Sequence, residues 1–182
     1  MYKLELSEIF TCQLDSEAYA FLAQYRILVQ WWKTKINETH HSYSELRDNF
    51  YPQWKQDWKN YHSQHAQTSS LTAYNMSKFS KQVSAKAEGM WRSFAVISPN
   101  VAKIDEDKKL VFPTNLTKKA RVRLIPKDPA QQVLLNQIQN EYWKIGQIFL
   151  TPKWCTIPLT RYIYLTSDEK EDTPIQELLN TL

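Results

Sequence analysis

Five basic side chains crowd a short stretch in the second half of the chain, and their type and spacing suit the binding of phosphate groups. Arg121 and Arg123 alternate with apolar residues, and this alternation predicts a half-buried strand with both guanidinium groups on one face. Aligned cations of this kind are typical of a surface that holds a polyanion such as RNA or DNA. The full set is Lys118, Lys119, Arg121, Arg123 and Lys127.

The charge of the chain is unevenly distributed. Its 182 residues carry a formal net charge of +4. Residues 108–161 contain ten Lys or Arg and two acids, a net charge of +8, whereas residues 168–177 contain one Lys and five acids, a net charge of −4. A compact basic block is expected of a protein that binds a phosphate backbone. The alternative is an ordinary solvated basic surface.

The sequence offers little for catalysis. Its two glycines exclude a P-loop and a dinucleotide-binding fingerprint. The predicted strands carry almost no acids, which instead fall in turns, as at Asp105, Glu106 and Asp107, or near the C-terminus, so we expect no two-metal nuclease centre. The sequence also contains no Gly-x-Ser-x-Gly motif. We therefore expect a protein that is not an enzyme and that has no cofactor.

Histidine and cysteine spacing gives weak signals. His62 and His65 could share a metal ion on one helix face, but no carboxylate or thiol follows at ligand spacing, which favours surface or stacking roles. Cys12 and Cys155 are expected to be reduced thiols. Six of the seven Trp residues could stack on bases, although aromatic residues on helical stripes are more often core; the six are Trp31, Trp32, Trp54, Trp58, Trp143 and Trp154. No signal peptide or membrane-spanning run is present, so we expect a cytoplasmic protein with no membrane partner.

The first half of the chain shows mainly helical periodicity. Residues 2–6 alternate as a strand. Apolar residues then recur every three or four positions over residues 18–36, which predicts an amphipathic helix. A capping box at Ser42 and Glu45 begins another helix, which Pro52 is expected to end or restart.

Further helical and strand patterns follow. An aromatic stripe over residues 54–65 predicts a third helix, and Ser69 and Ser70 are expected to cap a fourth that runs to about residue 94. Asp128 followed by Pro129 predicts the start of a late helix. Short β-like runs lie at residues 101–104, 110–112, 120–125, 145–150 and 154–165.

Four short motifs occur in order along the chain. The sequence is YKLEL at residues 2–6, KFSKQ at 78–82, KLVFP at 109–113 and KARVR at 119–123. This series resembles the N-terminal half of the TnpB family of transposon-encoded RNA-guided nucleases, relatives of the type V CRISPR effectors. The four motifs are similar to the opening strand, the recognition helix, a lysine–leucine strand and its basic successor in that family.

The resemblance implies separate roles for the helical block and the basic strands. Lys78 and Gln82 would donate hydrogen bonds to duplex DNA next to the target, and Phe79 would pack against a base or sugar. The basic strands would hold the guide RNA, whose pairing supplies sequence specificity. The alternative assigns Phe79 to the core and the two polar residues to solvated helix surface. The candidate nucleic-acid-binding residues are thus Tyr43, Lys78, Phe79, Gln82, Lys118, Lys119, Arg121, Arg123 and Lys127.

We accordingly predict an α+β protein in which an N-terminal strand and a helical recognition block pack on a small β-rich domain, wedge-like and of the OB-type barrel class. The expected boundaries are residues 1–12 for the first strand of the β-domain, 13–97 for the helical recognition domain, 98–167 for the basic wedge-like domain and 168–182 for an acidic tail or the start of a further domain.

Three functions are compatible with these patterns. The first is a non-catalytic recognition module of an RNA-guided, DNA-targeting system, with guide RNA and double-stranded DNA as partners. Because the nuclease carboxylates are absent up to Leu182, we expect a natural short form, a fragment, or one half of a split effector that has a separate RuvC-type nuclease subunit in the prokaryotic cytoplasm. The others are a stand-alone DNA-binding regulator and an aromatic-rich protein–protein adaptor.

Overall fold

The computed structural model describes residues 2–14, 18–36, 42–79 and 94–165, which contain four helices and eight strands. The α+β class is therefore confirmed. The helices are α1 (Ala18–Lys33), α2 (Tyr43–Asp57), α3 (Ser63–Phe79) and α4 (Pro129–Gln139). The strands are β1 (Tyr2–Leu14), β2 (Ala95–Ile97), β3 (Lys103–Ile104), β4 (Lys109–Pro113), β5 (Lys119–Pro126), β6 (Lys144–Ile145), β7 (Ile148–Leu150) and β8 (Trp154–Leu165).

The described strands form one continuous antiparallel sheet in the order β2-β7-β8-β1-β5-β4-β3, with β6 paired to β8. β1 lies in its middle. It pairs with β8 along almost its whole length and with β5 only through Cys12 to Leu14. The predicted strand at residues 2–6 is thus the first part of a longer strand, whose inward-facing Phe10 and Cys12 are buried.

Several predicted strands differ in their bounds from those in the structure. The runs at residues 110–112 and 120–125 are confirmed within β4 and β5, and residues 154–165 form β8. The single strand predicted at residues 145–150 is instead two short strands, because the Gly146 N–H turns to donate to the Pro158 carbonyl, with an N–O distance of 2.7 Å. β2 was not predicted.

α1 packs and α2 begins as their sequences predict. The apolar stripe of α1 is buried at Leu22, Tyr25 and Trp32. At the start of α2 the Glu45 N–H donates to Ser42 Oγ (3.2 Å), and the Ser42 N–H donates to Glu45 Oε2 (3.3 Å). Both bonds of the predicted capping box are therefore present, and they satisfy backbone donors at the first turn of α2.

The prediction that Pro52 ends or restarts a helix is wrong, because α2 continues through it to Asp57. Proline removes one N–H and leaves the carbonyl four residues earlier, that of Asp48, without its helical partner. Both Pro52 and Asp48 are exposed, so that carbonyl can be hydrated. The helix instead ends at Asp57, with Trp58 as its C-cap, and the predicted stripe over residues 54–65 is divided between α2 and α3.

The predicted cap at Ser69 and Ser70 is also wrong, since both residues lie inside α3 and are buried. Their hydroxyl groups donate to the carbonyls of His65 and Gln67 one turn earlier. Together with the buried Ala66 and Ala73 they supply small side chains along α3. Small residues let two helices approach closely. Ser69 and Ser70 therefore serve the packing of α3 and do not cap a helix, although serine is a common helix cap.

The helices pack on the sheet through aromatic residues. The Phe21 ring of α1 meets the Phe112 ring of β4 edge-on, with centroids 4.8 Å apart. His65 of α3 lies next to the same ring of Phe21, at 5.4 Å, and its Nε2 is 2.7 Å from the Pro113 carbonyl oxygen. Buried residues of helices and strands therefore belong to one hydrophobic cluster. The predicted domain boundaries stay predictions.

α4 begins as predicted and runs across one end of the sheet. Asp128 caps it by accepting from the Gln131 N–H (2.9 Å), and Pro129 occupies the first turn. The Gln131 side chain accepts from the Thr11 N–H of β1 (2.8 Å). At the other end of the helix, Gln139 Nε2 donates to the carbonyl oxygens of Asp105 and Glu106, in the turn between β3 and β4. Each helix in the described ranges is too short or too polar to cross a bilayer.

Candidate nucleic-acid interface

β5 presents its basic residues on one face, as the alternation predicts. Lys119, Arg121 and Arg123 are exposed, whereas Val122 and Leu124 between them are buried. Alternate residues on a strand lie about 6.7 Å apart, so these three cations form a regular row. The exposed row faces away from the core because its apolar neighbours hold the other side of the strand against it.

The strands next to β5 add two cations that the sequence interpretation missed. Lys109 of β4 lies directly opposite Arg123, and Val111 lies opposite Arg121. Lys103 of β3 is in turn opposite Val111. Directly opposite residues in antiparallel strands share a face. We call Lys103, Lys109, Lys119, Arg121 and Arg123 together the basic β-face.

Two carboxylates of the β3–β4 turn partly neutralise this face. Asp105 Oδ2 lies 2.5 Å from Arg121 Nη2, and Asp107 Oδ2 lies 3.7 Å from it. Partial burial of the Asp105 carboxylate favours its neutral form, but hydrogen bonds from the Lys109 N–H and the Arg121 guanidinium together outweigh burial. The pKa of Asp105 is therefore lower than its ordinary value. Within the described ranges, the face thus has five cations beside these two carboxylates.

Lys127 lies beyond the end of β5, over the ring of an aromatic residue. Its Nζ is 4.3 Å from the ring centroid of Trp154 in β8. Trp154 is opposite Gln13 of β1, and Gln13 is opposite Ile125 of β5, so the aromatic ring belongs to the same side of the sheet as the basic β-face. A lysine next to a half-exposed indole combines a phosphate contact with a stacking surface.

Lys118 lies in the turn between β4 and β5 rather than on the strand. Its N–H donates to Asn115 Oδ1 (2.7 Å), and the neighbouring Leu116 N–H donates to the Asn60 carbonyl between α2 and α3 (2.8 Å). The turn therefore joins the basic end of β5 to the helices. Lys118 is exposed there next to Lys119.

The candidate residues on the helices do not join the basic β-face through any contact that the structure describes. Tyr43 is half-buried in the first turn of α2 and packs against the core. Lys78 is exposed in the last turn of α3, and its Nζ lies 4.7 Å from the Tyr74 ring centroid. Phe79 ends α3, but its side chain and the whole of Gln82 lie outside the described residues.

His65, Cys12 and Cys155 lie outside the basic β-face, and their surroundings indicate structural roles. His65 is 1% exposed, and its Nε2 is engaged by a backbone carbonyl. No group of three or more potential metal ligands occurs in the described ranges. Cys12 and Cys155 are buried, free and directly opposite each other on β1 and β8. The Cys12 side chain and burial raise the pKa of the Cys155 thiol well above its ordinary value, which makes it a poor nucleophile.

Comparison with known proteins adds no family to this description. Neither a protein-family model nor a curated protein sequence matches the chain.

Proposed function

We propose that this chain is a non-catalytic nucleic-acid-binding module that holds RNA on the basic β-face. The observation that carries the proposal is the strand register, which puts Lys109 next to Arg123 and Lys103 in the same row as Arg121. Three neighbouring strands thereby contribute cations to one side of the sheet, on which Lys103 and the three β5 cations are exposed and Lys109 is half-buried. A scattered set of cations would be an ordinary solvated exterior, whereas a continuous array suits a phosphate backbone.

The finer proposal is that the bound RNA is the guide of an RNA-guided, DNA-targeting system. It rests on the resemblance to the TnpB family. The path of α4 across the end of a curved antiparallel sheet supports an OB-type, wedge-like domain, in which a helix covers one end of a small barrel. In this proposal Lys78 and Gln82 donate hydrogen bonds to double-stranded target DNA, and a separate RuvC-type nuclease subunit supplies the chemistry.

The direct test neutralises the basic β-face and measures RNA affinity. The variant Lys119→Gln/Arg123→Gln should bind a single-stranded RNA at least about tenfold more weakly at 100 mM salt, because two phosphate contacts are lost. The control Lys3→Gln/Arg26→Gln removes the same charge from exposed sites on β1 and α1 and should bind like the wild type. Equal losses in the two variants would mean that only net charge matters.

A second measurement separates the alternatives. RNA that copurifies with the protein, together with tighter binding of RNA than of a DNA duplex, supports the proposed module. Duplex DNA bound at least as tightly, with no copurified RNA, would favour a stand-alone DNA-binding regulator. A wild-type protein that binds neither polymer would overturn the proposal and favour a protein–protein adaptor.

A further inference from the structure

An open pocket of about 360 Å³ lies at the corner where α2 ends and α3 begins. Aromatic rings form its walls. The Tyr51 and Trp54 rings are nearly parallel, with centroids 6.1 Å apart and planes inclined by 13°. The Trp58 ring meets Tyr61 edge-on at 5.7 Å. We call this site the corner pocket. Its volume falls at the lower end of the roughly 300–1,000 Å³ that is typical of ligand sites.

The mouth of the corner pocket is basic and adjoins the turn that leads into β5. Lys55 and Lys59 line it and are exposed. Leu116 lines it from the β4–β5 turn, which the Leu116 N–H holds to Asn60 of the corner. Lys119 follows Leu116 by three residues, which an extended chain spans in at most about 11 Å. One nucleic-acid strand can therefore contact both surfaces.

Two tryptophans that line the corner pocket have buried indole N–H groups without an acceptor in the part of the chain that the structure describes. Trp54, which is 1% exposed, and Trp58 both line it, and their indole N–H groups have no acceptor among the described residues. Buried donors almost always find an acceptor in native structures, and each one left unpaired is unfavourable.

The charge of the mouth decides between two classes of ligand. Aromatic walls alone suit either a cation, held over the ring faces, or a flat base, stacked on them. Lys55 and Lys59 repel a cationic ligand, whereas they attract the phosphates on either side of a base. The combination therefore favours a nucleotide within a single strand.

We propose that the corner pocket receives one unstacked base of the strand whose phosphates lie on the basic β-face. This inference rests on the proposed function, since it needs a bound nucleic acid. It adds a stacking site on the helical block to a surface that otherwise contacts phosphates. The strand would therefore pass from β5 over the β4–β5 turn to the end of α2.

The test uses uridine decamers in which one position at a time lacks its base but keeps its phosphates. At one or two positions, wild-type protein should bind the abasic decamer about five- to a hundredfold more weakly than the intact one. Tyr61→Leu, which removes a ring but keeps an apolar side chain, should bind the intact and abasic decamers equally at those positions. Tyr164→Leu removes an exposed ring from β8 and should behave like the wild type.

Leu116→Asp is the second variant, since Leu116 is 64% exposed in a turn and its replacement leaves the core intact. It should also abolish the difference between intact and abasic decamers. An abasic effect that survives in both variants would place the base elsewhere and overturn the inference. Intact binding with no abasic effect at any position would overturn it while leaving the proposed function standing. Decamers that do not bind at all would overturn both.

Discussion

Arg121 of β5 forms an ion pair with Asp105 of the β3–β4 turn, with 2.5 Å between Nη2 and Oδ2. The central cation of the basic β-face is therefore already engaged in the protein without ligand. The Arg121 side chain is 56% exposed and Asp105 is 13% exposed, so a phosphate can approach the guanidinium from solvent while the carboxylate stays behind it. The carboxylate of the turn between β3 and β4 consequently lowers the positive charge that a bound polyanion contacts.

Asp105→Asn should strengthen RNA binding, because it removes a competitor for Arg121. The asparagine oxygen can still accept from the Lys109 N–H, as Asp105 Oδ1 does at 2.9 Å, so the turn is preserved. We expect a few-fold higher affinity at low salt and a salt dependence steeper by up to about 0.7 in log–log slope, equivalent to one more phosphate contact. Fluorescence anisotropy with a labelled RNA measures both.

Asp107→Asn is the matched control for that substitution. Asp107 is 67% exposed and its oxygen is 3.7 Å from Arg121, so its pairing is screened and the change in affinity should be smaller. Weaker binding by Asp105→Asn, with the fold retained, would show that Asp105 orients Arg121 for the ligand and does not compete with it.

His65 should make the protein less stable as the pH falls below about 6.5, the ordinary pKa of histidine. Burial lowers the pKa of His65, although the Pro113 carbonyl opposes that shift. The unfolded chain then binds a proton that the folded protein excludes, so stability is complete above the unfolded pKa and is lost as the pH drops toward the lowered folded value. The slope reaches at most about 1.4 kcal/mol per pH unit.

His65→Gln isolates this contribution. Its amide N–H can still donate to the Pro113 carbonyl, but the side chain does not titrate. Urea unfolding at pH 7, 6 and 5 should show a flatter decline in the free energy of unfolding than in the wild type. Parallel declines would mean that His65 is not the group responsible.

Tyr25 should give a second pH dependence, at the alkaline end. Burial raises its pKa to about 12, and its hydroxyl lies 3.0 Å from Thr72 Oγ1. The unfolded chain ionises near pH 10, so stability is complete below that pH and falls as the pH rises toward the folded value. Tyr25→Phe should cost about 1 kcal/mol at pH 7 through the lost hydrogen bond.

The measurement for Tyr25 is the free energy of unfolding between pH 9 and 11. Tyr25→Phe should lose less stability over this interval than the wild type, and the two should converge at the upper end. Thr160→Val is the control. Thr160 lies on the side of the sheet that faces away from Tyr25, and the substitution removes a hydroxyl group that does not titrate. A wild-type decline no steeper than that of Tyr25→Phe would contradict the assignment.

The sequence patterns correctly predicted those features of the fold that depend on interactions between residues close together in the sequence. The alternation around Arg121 identified the exposed row of β5, and Asp128 followed by Pro129 identified the start of α4, because strand faces and helix caps depend on nearby residues. Ser69 and Ser70 were misread for a related reason. Serine favours caps in isolation, but here packing against the rest of the fold decides.

The rest of the site depends on contacts between residues distant in sequence. Lys109 could have been placed next to Arg123 by pairing the two runs predicted at residues 110–112 and 120–125 as an antiparallel hairpin. Placing Lys103 on this face would have required the register of β3, a strand of two residues, which is too short to show an alternating pattern. Predicting the corner pocket would have required knowing that the β4–β5 turn contacts the α2–α3 corner at Asn60.

The salt dependence of RNA binding tests the central claim most directly. For a single-stranded RNA, the logarithm of the binding constant should fall linearly with the logarithm of salt concentration, with a slope of about −0.7 per phosphate contact. The basic β-face predicts a wild-type slope of about −2 to −4, and Lys119→Gln/Arg123→Gln should reduce its magnitude by about 1.4. A wild-type slope near zero, or the same slope in both proteins, would contradict the claim that these strands grip a phosphate backbone.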